Sequence, residues 1–296
     1  MTEETLAGRR RAGTTWMTAL AALLLVATVG TIALRARDSS PPAPAPVVVV
    51  TDRPAQPEGV ITYEITGKGY FTARASGEVI GPATEHDLHS VHNASEQDRV
   101  PSPDGSQSVR IDRTQDGVFL AVGTPGAEQS IGQIAASSDA ALVAGGKGAA
   151  RAVDGIPLVV AWSPDSKHLA YGSITGEPWT LRVMSVPGHG QSSVGHQVEG
   201  GYVGELAWSP DGRYLAISTY SLDRKNHTVL MLDTQTNRLE TVIDGCHLTW
   251  SPDSRFLAIH RDPGPGEGAW IISPDGETRL ALSRERGAFP YTWREG

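Results

Sequence analysis

The feature that most limits how this chain can fold is a phrase written three times in one register. It reads Val-Ala-Trp-Ser-Pro-Asp at 160–165, Leu-Ala-Trp-Ser-Pro-Asp at 206–211 and Leu-Thr-Trp-Ser-Pro-Asp at 248–253. Trp162, Trp208, Trp250 and a further Trp293 recur at intervals of 46, 42 and 43 residues. A period in the low forties suits a four-stranded unit, one that cannot bury its own faces and must stack on copies of itself.

Each copy has a physical reading. An apolar strand ends on Trp162, Trp208 or Trp250. The serine opens a turn, the proline (Pro164, Pro210 or Pro252) presets φ near −65°, and the aspartate (Asp165, Asp211 or Asp253) tolerates the next turn position. The fourth residue, Gly212 in one copy, supplies a left-handed backbone. Ser166 and Ser254 replace it in the others, at a cost of about 1 kcal/mol each if the conformation is kept. The recurrence of the three aspartates follows if each caps its own turn. Second, third and outer strands follow, as in Tyr214–Ser218, Thr228–Asp233 and Leu239–Ile243.

These copies resemble the repeats of TolB-type propellers, relatives of the WD-repeat propellers. The likeness implies an all-β fold, a β-propeller over residues 59–296. Val100-Pro101-Ser102-Pro103-Asp104-Gly105 is a weaker copy, and Ser273-Pro274-Asp275-Gly276 falls off register and reads as a turn within a blade. Residues 60–80 offer a second, a third and an outer strand without an inner one, whereas Phe289–Trp293 is an inner strand with no blade after it. Closing the ring therefore predicts that the C-terminal strand, 289–293, completes the first blade. Ile134-Ala135-Ala136-Ser137-Ser138-Asp139 reads as the start of a decayed copy and makes six blades; without it there are five.

Ahead of the repeats, Ala12–Leu34 is 23 residues without a charge, preceded by Arg9, Arg10 and Arg11. At about 1.5 Å per residue, a helix of this length covers the hydrocarbon core of a bilayer. Residues 1–11 then form a cytoplasmic stub, 12–35 a signal-anchor helix in the lipid bilayer and 36–58 a Pro-rich stalk, with the propeller outside the membrane. A cleaved signal peptide, giving a secreted protein, is the alternative; it puts the same body across the membrane.

Beyond residue 34 the chain carries 22 Lys and Arg against 31 Asp and Glu, with no basic stripe, which argues against nucleic acid as a partner. The single cysteine, Cys246, rules out an intramolecular disulfide and sits in an apolar stretch as a buried, inert thiol. Candidate chemistry is sparse. His86, His89 and His92, interleaved with Glu85 and Asp87, are the one constellation with a metal-like spacing, in what reads as a polar loop. No cofactor or catalytic set is assigned, and no Gly-x-Ser-x-Gly elbow occurs. The resemblance implies a binding or scaffold module with an envelope or extracellular protein partner. It stops at residue 59, because TolB-type proteins carry an N-terminal α/β domain where this chain has its apolar stretch and stalk. The alternative is a propeller hydrolase or lyase, which convergent carboxylates or histidines around one channel mouth would support.

Overall fold

A computed structural model describes residues 56–84, 99–136, 159–173, 179–186, 193–198, 201–221, 226–261 and 266–296. The apolar stretch at 12–35, the stalk up to residue 55 and His86, His89 and His92 lie outside the described residues. Among the described residues no helix is long and apolar enough to cross a membrane.

The described chain is all strand, arranged as four-stranded antiparallel sheets. Sheet 1 contains β1 (Val60–Ile65), β2 (Gly69–Arg74) and β3 (Val79–Pro82). Sheet 2 is β4 (Arg99–Pro101), β5 (Ser108–Thr114), β6 (Gly117–Gly123) and β7 (Gln129–Ala136). Sheet 3 is β8 (Val160–Trp162), β9 (His168–Ser173), β10 (Trp179–Ser185) and β11 (Ser193–Val198). Sheet 4 is β12 (Gly201–Trp208), β13 (Tyr214–Ser221), β14 (His227–Asp233) and β15 (Arg238–Asp244). Sheet 5 is β16 (Cys246–Trp250), β17 (Leu257–Arg261), β18 (Gly268–Ile272) and β19 (Arg279–Ser283). The last strand, β20 (Ala288–Arg294), returns to sheet 1, which runs β20-β1-β2-β3. Ile61 faces Trp293 and Val60 faces Arg294 in that pairing.

Packing explains the residue choice in the second strands. In β13, Leu215 and Ile217 join one core cluster with sheets 2 and 3, while Ala216 between them joins another with Trp250, Leu257 and Ile259 of sheet 5. In β17, Ala258 faces onward to Ile61, Tyr63 and Trp293 of sheet 1. A strand buried on both faces needs apolar residues at consecutive positions, large on one side and small on the other.

The sheets are joined in order by the repeated tryptophans. The indole N–H of Trp162 donates to Val100 O at 3.1 Å, that of Trp208 to Ala161 O at 3.1 Å and that of Trp250 to Ala207 O at 2.9 Å. Each acceptor lies two residues before the motif serine of the preceding sheet. Sheets 2 and 3 are therefore immediate neighbours. Ile134-Ala135-Ala136, expected to open a decayed copy, instead ends β7, the outer strand of sheet 2; residues 137–158 lie outside the described set.

Five turns share one construction. Ser163 Oγ donates to Asp165 Oδ1 at 2.6 Å and accepts from the N–H of His168 at 2.8 Å, and Asp165 Oδ1 accepts from the N–H of Lys167 at 3.1 Å. Ser102, Ser209 and Ser251 repeat the arrangement with Asp104, Asp211 and Asp253. Ser273 repeats it with Asp275 between β18 and β19, a turn inside sheet 5. Ser166 and Ser254 keep the left-handed backbone, at φ of 60° and 63°. Their hydroxyls are used: Ser166 Oγ accepts from the N–H of Asp104 at 3.1 Å and Ser254 Oγ from the N–H of Asp211 at 2.9 Å, each across a sheet boundary.

Candidate functional site

The motif aspartates hold turns, so chemistry has to be sought elsewhere, and it gathers at the opposite end of the sheets. Three inner strands carry a bulge near that end. The pairing of β12 with β13 shifts register between Val203 and Glu205, that of β16 with β17 between Cys246 and Thr249, and that of β20 with β1 skips Tyr291. Bulges twist a strand and re-aim side chains. Gly204 fits because a Cβ there would lie 1.7 Å from the Tyr220 ring, and His247 adopts φ of 57°.

The three bulges bring Glu205, His247 and Tyr291 into one half-buried cluster. Glu205 Oε2 accepts from the N–H of Leu248 at 3.2 Å, and its Oε1 lies 3.8 Å from His247 Nδ1. The His247 ring packs 4.7 Å from Phe289 and 6.2 Å from Tyr291. Tyr291 donates to Glu64 Oε2 at 2.8 Å and packs 5.7 Å from Tyr70. His260, 4% exposed, meets Ala288 O through Nδ1 at 2.9 Å and Phe289 at 4.2 Å. On the other flank, His227 Nδ1 lies 3.2 Å from Cys246 Sγ and its ring 4.2 Å from Tyr220.

Burial dominates the electrostatics. It raises the Glu205 carboxyl above the ordinary carboxylate range, against the pull of the backbone N–H groups of His247 and Leu248 and the field of His227. Burial likewise raises the phenol of Tyr291, helped by its bond to Glu64 and by the nearby charges of Glu64 and Glu205. Tyr220 moves the same way through burial and then Glu205 and Cys246. The cluster can accept a proton at Glu205 and present aromatic faces to a guest. Among the described residues no group of three His, Cys, Asp or Glu has metal-binding geometry.

Trp162, Trp208 and Trp250 end inner strands and Trp293 is the last residue but one of β20, while Pro164, Pro210 and Pro252 sit in the turns with their aspartates; none of them joins the cluster. Cys246 is buried but touches an imidazole. Glu205, His247, Tyr291 and Glu64 belong to no motif. The signal that could have found them is a charged or histidine residue in an apolar inner strand, as in Tyr202-Val203-Gly204-Glu205-Leu206.

The WD domain, G-beta repeat family matches residues 182–226, which run from within β10 through β12 and β13 to the residue before β14. The repeat in sequence is thus offset from the sheet in space, as the β20–β1 pairing also is. TolB from Acinetobacter baumannii superposes with a TM-score of 0.52 at 14% identity, over 82% of this chain and 68% of that one. In fold, the chain is a β-propeller similar to those of TolB and of WD-repeat proteins. A putative TolB from Agrobacterium tumefaciens aligns with a TM-score of 0.42 at 14% identity, over 81% of this propeller chain and 91% of its own. Dipeptidyl peptidase 4 from Porphyromonas gingivalis aligns with a TM-score of 0.44 at 12% identity, over 74% and 37%. No curated protein matches the propeller's sequence.

Proposed function

We propose that the chain is a single-pass, membrane-anchored β-propeller of five blades. Its body stands outside the cytoplasm on a Pro-rich stalk and binds a protein partner at the end where Glu64, Glu205, His247 and Tyr291 converge. One observation carries the reading: those four groups come from three sheets, and turn construction accounts for none of them. Half-buried aromatics around polar groups are the make-up of an interface centre. The uncharged stretch at 12–34 and its flanking arginines support the anchor.

A photo-crosslinking residue at Tyr70, compared with one at Arg213 beside the Ser-Pro-Asp turns, tests both parts in native membranes. The expected result is a discrete protein adduct at position 70 only, formed on chain that is accessible to protease from outside the cell. Adducts at position 213 alone, or a body protected from outside, would reject it.

The same convergence also favours a second reading, a propeller hydrolase or lyase in which Glu205, its proton affinity raised beside His247, serves as acid or base. It gains if wild-type chain, and not the Glu205→Gln variant, chemically alters an envelope component without forming an adduct.

A further inference from the structure

We propose that the cleft between sheets 3 and 4, at the Ser-Pro-Asp end, is a binding site for a neutral saccharide, distinct from the Glu205 cluster. It is about 570 Å³, within the range of small-molecule sites, and is lined by Trp208, His168, Asp165, Asp211 and Asn237 among others.

The cleft is larger than the one of about 340 Å³ at the same end between sheets 4 and 5, and its boundary lacks a bond that its neighbours have. Between sheets 2 and 3, and again between sheets 4 and 5, a left-handed serine accepts the N–H of the preceding motif aspartate. At the boundary of sheets 3 and 4 the matching residue is Gly212, which has no hydroxyl to offer Asp165. The residue covering the next tryptophan differs too. Tyr214 stacks on Trp250 at 6.2 Å and 16°, whereas the smaller ring of His168 sits over Trp208 at 6.4 Å and 36°. Accordingly Trp162, Trp250 and Trp293 are 7–8% exposed, while Trp208 is only partly buried and lines the cleft.

The lining selects the guest. Among the described residues no Lys or Arg contributes, and Asp165 and Asp211 repel an anion. Both carboxylates already accept bonds at Oδ1 from Ser163 and Ser209, His168 Nδ1 lies 3.9 Å from Asp165 Oδ1, and the rest of the polar lining (Ser163, Ser185, Thr234, Asn237) is neutral. An indole ring beside an acceptor-rich rim suits a sugar ring, with one apolar C–H face and hydroxyls that donate.

The test uses purified full-length chain on an array of neutral glycans, with N-acetylchitotriose as the quantified probe by calorimetry and tryptophan fluorescence. Saturable binding is expected, at least tenfold weaker in Trp208→Ala and in Gly212→Ser. Gly212→Ser is the decisive variant. Serine at the φ of 72° found at Gly212 bears the same strain of about 1 kcal/mol as Ser166 and Ser254, but a Cβ there meets only Pro164 Cδ at 3.9 Å and the new hydroxyl should complete the missing clamp, so the variant should melt close to wild type. A blank array overturns the proposal. So does binding that both variants retain, or saturable binding of putrescine that Gly212→Ser abolishes, which would make the site one for cations.

Discussion

The indole N–H of Trp293, at the end of the chain, donates to the backbone carbonyl of Glu58, at its entrance to the propeller, at 2.8 Å. The other three motif tryptophans donate to a neighbouring sheet; this one ties the last strand, β20, to the segment that leads into β1 of the same sheet. Gly59 makes room for it, since a Cβ there would lie 2.3 Å from Arg294 O and 2.9 Å from the indole nitrogen.

Trp293→Ala should therefore cost about 3–5 kcal/mol, the range for emptying a large buried aromatic site. Urea denaturation of the variant against wild type measures it, and a loss under about 1 kcal/mol would mean the latch adds little.

The two left-handed serines separate backbone strain from the clamp they form. Ser254→Ala keeps the strain and strands the N–H of Asp211, so a loss of about 1–3 kcal/mol is expected. Ser254→Gly loses the same bond but relaxes the backbone and should be the more stable of the two. Thermal melts of both variants decide the order.

Gly204→Ala should disturb the bulge in β12, because the added carbon would sit inside the Tyr220 ring. Overpacking of this kind costs about 1–3 kcal/mol. Pairing it with Tyr220→Ala should recover part of the loss in a double-mutant cycle.

Two carboxyls should set opposite pH trends. Burial raises Glu205, so its favourable contribution is present below the ordinary carboxyl range and is lost as pH rises through its folded value. Glu205→Gln should thus melt higher than wild type at neutral pH, with the difference closing in acid. The hydroxyl of Ser108, with the N–H of Gly126, holds Glu128 down to about 2. Its contribution is present at neutral pH and fades as pH falls through about 2, so Glu128→Gln should melt lower at pH 7. Melting curves across pH check both signs.

The strand order was legible because Trp-Ser-Pro-Asp has few other uses. A strand ending on Trp250 and turning at Ser251 can hardly be anything but the first edge of a hairpin. What the pattern hides is contact across sheets. Nothing in the spelling of Ser254 says that its hydroxyl meets the N–H of Asp211, 43 positions earlier. The Glu205 cluster was illegible for a related reason. Bulges depend on how Gly204, His247 and Tyr291 fit facing strands, and no spacing rule brings those three positions together.

The central claim, that the end bearing Glu64, Glu205, His247 and Tyr291 receives a protein, is tested most directly by affinity. The protein captured through position 70 should bind full-length chain carrying Glu205→Gln and His247→Ala at least tenfold more weakly than wild type. The turn variant Ser254→Gly should bind it as wild type does. Equal affinity for wild type and the double variant, with both folded, would contradict the account.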